Sequence, residues 1–208
     1  MFYLKFKRLY DTLGSLIGIM LLSPLYLIIM ILIKIDSRGP ILFKQKRIGR
    51  YKKHFNILKF RTMKIDAPKD TPTHMLENPE QYTTRMGKFL RKTSFDELPQ
   101  IINILKGDMS IIGPRPALWN QFDLIEERDK YGVHKLYPGI TGYAQIKGRD
   151  TLLIPDKAAL DGEYVKKISL WLDIKIFIGT LISVFKYDGI VEGGTGTIEK
   201  SKNNTPKV

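Results

Sequence analysis

Asp96 and Glu97 stand side by side in the run Arg91-Lys92-Thr93-Ser94-Phe95-Asp96-Glu97-Leu98-Pro99-Gln100. Two carboxylates among cations, in a chain of formal net charge +13, suit a site for an anion. One of the acids could then serve as nucleophile or metal ligand. Plain charge pairing is the alternative. Other cations have settings that could matter to such a site. Lys59 and Arg61 alternate with Leu58 and Phe60, so they share one strand face, either as anion contacts or as a solvated surface. Arg115 lies between Pro114 and Pro116, where a stiff backbone fixes the guanidinium for a planar grip on phosphate oxygens, or makes an ordinary rigid turn. Arg149 follows the segment Pro138 to Ile146 and Gly148, which reads as a turn, a short strand and another placed arginine.

Short elements must position these groups. Residues 41–47 and 55–61 read as two strands, with 49–53 as the turn between them. Pro99 to Lys106 fits a short helix with Pro99 at its first position, Ile101, Ile102 and Leu105 as an apolar stripe, and Gly107 as the stop. Asp96 and Glu97 would then precede a helix N-terminus, whose exposed N–H groups favour phosphate. A capping box between Ser94 and Glu97 competes with that reading and would make Glu97 structural. Residues 66–79 contain three prolines and read as a long loop.

Composition narrows the chemistry. The 208 residues suffice for one domain with a core and an appendage. The positive charge favours nucleic acid, anionic lipid or a phosphorylated substrate as partner. There is no cysteine, which excludes disulfides and thiolate chemistry. His54, His74 and His134 lack metal-ligand spacing, and neither a P-loop nor an internal repeat is present.

The stretch from Leu13 to Ile33 is uncharged and mostly apolar, long enough for a bilayer core. It is too long for a cleavable signal, and no small-residue cleavage site follows it. Ser23-Pro24 falls mid-segment, where proline removes a backbone hydrogen bond and the serine hydroxyl can satisfy the freed carbonyl. Both flanks are basic, with Lys5, Lys7 and Arg8 before and Lys34 and Arg38 after, which retains both ends on one side. A bent hairpin in one leaflet satisfies these facts, and a kinked transmembrane helix is the alternative. A second apolar stretch from Leu170 to Phe185 reads as an interfacial or core helix, with Trp171, Phe177 and Phe185 suited to the headgroup boundary.

At this point the sequence resembles the bacterial sugar transferase family, the monotopic phosphoglycosyl transferases. The likeness is carried by Ser23-Pro24, Lys59-Phe60-Arg61-Thr62-Met63, Arg91 through Gln100, Gly107-Asp108-Met109-Ser110 with Gly113-Pro114-Arg115-Pro116, Pro138 through Gly142, and Leu172-Asp173-Ile174-Lys175. Phe95 departs from the usual leucine or isoleucine without touching the chemistry. The resemblance implies an α+β, mostly helical fold with a small β-hairpin, interfacial helices and a re-entrant helix-break-helix over residues 1–36. A cytoplasmic catalytic domain over 37–190 and a flexible tail over 191–208 would follow. It implies transfer of a sugar 1-phosphate from a UDP-sugar to polyprenyl phosphate, with release of UMP. Asp96 is the implied nucleophile and magnesium ligand, and Glu97 its partner. Lys59, Arg61, Arg91, Arg115 and Arg149 are implied phosphate or nucleotide contacts, with Arg91 and Arg115 holding Asp96 ionised. Asp173 matches a family position, or simply pairs with a nearby cation. The implied setting is the cytoplasmic face of a bacterial inner membrane, with anionic lipids as partners, no nucleic acid, and the oligomeric state, homodimer included, left open. Two other classes compete: a membrane-anchored binding module without catalysis, and a magnesium-dependent diphosphate hydrolase using Asp96.

Overall fold

The computed structural model describes residues 2–68, 78–148 and 151–186. These residues are mostly helical, with two small two-stranded sheets, as the resemblance implies. The expected tail over 191–208, part of the expected loop (69–77) and Arg149 lie outside the described residues.

Helix α1 (Phe2–Asp36) is continuous and contains Pro24. At a rise of 1.5 Å per residue it is about 52 Å long. Pro24 has no N–H to offer the carbonyl of Met20, four residues back. Ser23 Oγ donates to that carbonyl instead, at 2.9 Å. The helix therefore persists across the site where a break into two helices was expected.

β1 (Leu42–Ile48) and β2 (His54–Phe60) pair antiparallel, with Lys44 opposite Leu58 and Phe43 opposite Lys59. α2 (Pro79–Tyr82) and α3 (Arg85–Thr93) lead to a 3₁₀ turn at Phe95–Glu97 and then to α4 (Gln100–Lys106). Pro99 occupies the N-cap of α4 rather than its first turn, and Gly107 closes the helix at φ 89°. The buried face of α4 is Gln100, Asn103 and Ile104, not the stripe expected from Ile101, Ile102 and Leu105. The difference arises because α1 covers one flank of α4, with Ile101 beside Gly18, while Asn103 faces the hairpin. Asn103 Oδ1 accepts from Leu58 N at 2.9 Å and its Nδ2 donates to Asn56 O at 2.9 Å. A buried amide saturated in this way fastens β2 to α4.

β3 (Ser110–Ile112) pairs in parallel with β4 (Gly139–Thr141), and α5 (Phe122–Asp129) lies in the crossover. α6 (Tyr143–Lys147), α7 (Ile154–Lys167) and α8 (Leu170–Lys186) complete the described chain. One core cluster joins Ile29 and Ile33 of α1 to Phe60 and Leu90. Another joins Ile112, Tyr164 and Ile176.

α1 is long and apolar enough to cross a membrane, with mean hydropathy 2.8 over its most apolar window. Yet it touches the rest of the chain from first turn to last. Near its start Asp11 accepts from Ser110 Oγ at 2.6 Å and from Ile111 N at 3.1 Å. Midway Tyr26 Oη donates to Leu98 O at 2.5 Å, and at the end Asp36 accepts from Met86 N at 3.0 Å. The side away from these contacts is exposed and apolar, including Leu13, Ile17, Met20, Leu21, Ile28 and Ile35. On α8, Asp173 and Ile176 face inward while Trp171, Ile174, Phe177, Ile178 and Leu181 are exposed. One face of α8 is thus packed on the domain and the other is exposed and apolar.

Candidate active site

α3 begins at Thr84, whose side chain accepts from Gly87 N at 2.9 Å, a standard N-cap. Gly87 packs so tightly on the backbone of Thr62 that an added Cβ would overlap the Thr62 carbonyl. That approach sets α3 against the end of β2 and brings Arg91 Nε to Thr62 Oγ1 at 3.0 Å. Ser94 then reverses the chain in a left-handed conformation, φ 58°, uncommon for a residue with a Cβ. Its side chain makes no capping bond, so the capping box of Ser94 and Glu97 does not form. The reversal points both acids of the 3₁₀ turn back toward β2.

There the sequence-derived residues meet. Lys59 Nζ lies 2.7 Å from Glu97 Oε1 and 3.6 Å from Asp96 Oδ2. Arg115 holds Glu97 with both Nη atoms, Nη1 reaching Oε2 at 3.1 Å and Nη2 pairing with Oε1. Arg115 thus grips a carboxylate while its side chain stays 43% exposed. Glu97 is saturated by these cations. Among the described residues, no hydrogen bond reaches the Asp96 carboxylate, although the residue is only 8% exposed. Both acids line a cavity of about 740 Å³ together with Lys59, Arg61, Arg91 and Arg115.

The two carboxyls titrate in opposite directions. Burial raises Asp96 above its ordinary value of 3.8, with Lys59 opposing and the Glu97 charge adding to the rise. Burial alone would also raise Glu97, but Arg115 and Lys59 overcome it and hold Glu97 well below the usual carboxylate range. Arg91 and Arg115 both pull Asp96 toward its ionised form, the direction expected of nearby cations. Their pull is outweighed by burial, because the nearest fork is spent on Glu97.

Arg61 lines the same cavity, but its guanidinium turns to the end of α1, donating to Ser37 O at 2.8 Å and to Arg38 O. It caps that helix in the manner of a C-terminal cation. Asp173 pairs with Lys7 Nζ at 2.5 Å and also accepts from Tyr3, Tyr10 and Tyr164, so it is a structural joint between α1, α7 and α8.

Sequence reasoning missed Arg47, Arg128 and Asp161. Arg47 Nη1 donates to Pro116 O at 3.0 Å and Nη2 to Gln45 Oε1 at 2.5 Å. Burial and the neighbouring Arg115 push it down to about 9. Arg128 and Asp161 form a buried ion pair, 3% and 1% exposed at the side chain. The available signal was an arginine sharing the buried face of α5 with Leu124 and Ile125.

A magnesium ion takes oxygen ligands, usually one or two carboxylates plus phosphates and water. No cluster of three or more acidic or histidine ligands occurs among the described residues. Asp96, short of partners and lining the cavity, fits as a single carboxylate for an ion carried in with a diphosphate, and Glu97, already saturated, does not.

Comparison with known proteins gives the family of the chain. Residues 2–187 match the model of a family described as bacterial sugar transferase. A protein of Bacillus subtilis (strain 168), "Uncharacterized sugar transferase EpsL", is 37% identical over 194 residues, 93% of this chain and 94% of that protein. The "Undecaprenyl-phosphate glucose phosphotransferase" of Komagataeibacter xylinus is 40% identical over 186 residues, 84% of this chain but 35% of that protein. The "UDP-glucose:undecaprenyl-phosphate glucose-1-phosphate transferase" of Escherichia coli (strain K12) is 40% identical over 187 residues, 86% of this chain and 39% of that protein. The chain thus spans little more than a third of these two longer relatives and nearly the whole of the first.

Proposed function

The chain belongs to the bacterial sugar transferase family, and from that premise we propose that it moves a sugar 1-phosphate from a UDP-sugar to polyprenyl phosphate, an early membrane step in building exopolysaccharide, capsule or glycoconjugate. One observation carries the proposal. Asp96 is a buried carboxylate with no hydrogen bond among the described residues, set in a cation-lined cavity beside a second acid that absorbs the nearest cations. A carboxylate kept short of partners is available to form a bond.

In the first step an Asp96 oxygen attacks the sugar-linked phosphorus. The bond from that phosphorus to UMP breaks, and UMP leaves with the electron pair. In the second step an oxygen of polyprenyl phosphate attacks the same phosphorus and releases the Asp96 carboxylate. Glu97 fixes Lys59 and Arg115 over the reacting phosphate, where their charge offsets what develops on its oxygens. Arg91, anchored on Thr62, adds a further cation to the same wall. Magnesium, held by Asp96 and the donor's phosphates, would supply charge neutralisation for the departing UMP.

The lipid acceptor requires this site to sit at headgroup depth. The cavity wall includes Ile101, which packs beside α1, and Thr180 of α8, so it adjoins both helices that present exposed apolar faces. Anchoring of α1 to one domain along its whole length supports an anchor that enters and leaves on the cytoplasmic side. Pro24→Ala, which restores the missing backbone N–H, should stiffen the segment and lower activity through misplacement. Normal turnover with an unmoved N-terminus, read by cysteine accessibility, would discard that idea.

The decisive experiment mixes the protein, magnesium and radiolabelled UDP-sugars without lipid. Intact mass should rise by one phosphosugar and UMP should appear in equal amount, with both absent in Asp96→Asn. A strict need for lipid before any UMP forms would argue for direct transfer. UMP without lipid-linked sugar, even when lipid is present, would favour hydrolysis, and neither product would favour a binding module.

A further inference from the structure

The segment Pro114 to Ala117 is fastened carbonyl by carbonyl. Pro114 O accepts from Gly139 N at 3.0 Å, Arg115 O from Arg128 Nη1 at 2.8 Å, Pro116 O from Arg47 Nη1 at 3.0 Å, and Ala117 O from Ile48 N at 3.0 Å. Both prolines lack an N–H and have a fixed φ, so these carbonyls are the handles by which the segment is oriented. Arg115 stands on that anchored backbone and grips Glu97.

We propose that Arg128, braced by Asp161, is a positioning residue that sets where the Arg115 guanidinium sits; the proposal rests on the reading of Asp96 and Glu97 as the reacting pair. Arg128 lines the cavity, yet every nitrogen of its guanidinium is engaged. Nε and Nη2 donate to Asp161 Oδ2 at 2.9 and 2.6 Å, and Nη1 donates to the Arg115 carbonyl. Three of its five N–H groups are thus committed within the protein. The rigid fork is what the task needs: one edge holds a carboxylate on α7 and the other holds a backbone oxygen 13 residues away in sequence. A lysine could keep the ion pair but not both edges. A misplacement of about 1 Å at a catalytic group can cost up to roughly a hundredfold in rate.

The test uses Arg128→Lys and, to guard against a folding failure, the double replacement Arg128→Met with Asp161→Leu, which leaves no buried charge unpaired. In folded protein each should lower kcat roughly tenfold while the KM for the UDP-sugar changes less than about twofold. Adding Arg128→Lys to Arg115→Lys should cause no further loss, because both changes disable one unit. Nitrogen-15 spectra of arginine side chains supply a readout independent of turnover, in which the Arg115 guanidinium should become mobile in both Arg128 variants. Losses that add to those of Arg115→Lys, wild-type kcat in the folded double variant, or an Arg115 signal as rigid as wild type would each overturn the proposal. If the wild type releases no UMP from any donor while Arg115 still loosens, the positioning role stands and the transferase reading falls.

Discussion

Asp96 and Asp173 are both buried aspartates facing a lysine, and they have opposite surroundings. Asp173 takes four donors: Lys7, Tyr3 and Tyr10 on Oδ2 and Tyr164 on Oδ1, between 2.5 and 2.7 Å. Asp96 has Lys59 at 3.6 Å and, among the described residues, no hydrogen bond. Burial therefore does not distinguish a structural carboxylate from a reactive one. Saturation does. A carboxylate with every lone pair engaged ties elements together, whereas one left short stays ready for a new partner.

The contrast can be broken by exchanging consequences. Asp96→Asn should reduce turnover by at least about 10⁴-fold, as expected for loss of a nucleophile, with an unchanged melting temperature. Lipid-linked sugar made at the native rate by that variant would end the assignment. Asp173→Asn should do the reverse. It leaves Lys7 buried without its counter-charge, so stability should fall on the order of 3–5 kcal/mol while the folded fraction keeps near-native kcat. Denaturation monitored alongside single-turnover labelling separates the two. Gly87→Ala is intermediate. Its Cβ would push α3 off Thr62 and drag Arg91 with it, lowering stability by about 1–3 kcal/mol and also slowing labelling.

A smaller effect sharpens the electrostatics. Since burial raises Asp96 and the Glu97 charge adds to that rise, lipid-free labelling should increase with pH through a midpoint above 3.8. Glu97→Gln removes the repulsion and releases Lys59 and Arg115 toward Asp96, so the midpoint should move to lower pH even as the maximum rate drops. A midpoint that stays in place would show that the two acids do not sense one another.

Much of this arrangement was legible in the sequence where the determinants are local. Alternation and turn residues placed the β1–β2 hairpin, and Gly107 marked the end of α4. The proximity of Lys59, Arg115 and the acid pair followed from the family likeness, not from periodicity. What escaped depends on distant partners. Arg128 and Asp161 lie 33 positions apart, and nothing in either neighbourhood signals the other. Arg61 looked equivalent to Lys59 because both share one strand face, but Lys59 lies within β2 while Arg61 falls just past its end, where the terminus of α1 claims it. Ser94 resembled a helix cap by type and spacing, and its left-handed backbone, set by the reversal between α3 and the next turn, could not be read from composition.

The bond from Ser23 to Met20 bears on dehydration. A proline in an ordinary helix strands an acceptor that must recruit water, and water is what an oily anchor can least tolerate. Here the replacement donor comes from the neighbouring residue and needs no solvent. With α1 placed in a bilayer as proposed, the proline site would stay dry, its freed carbonyl already satisfied from within the helix.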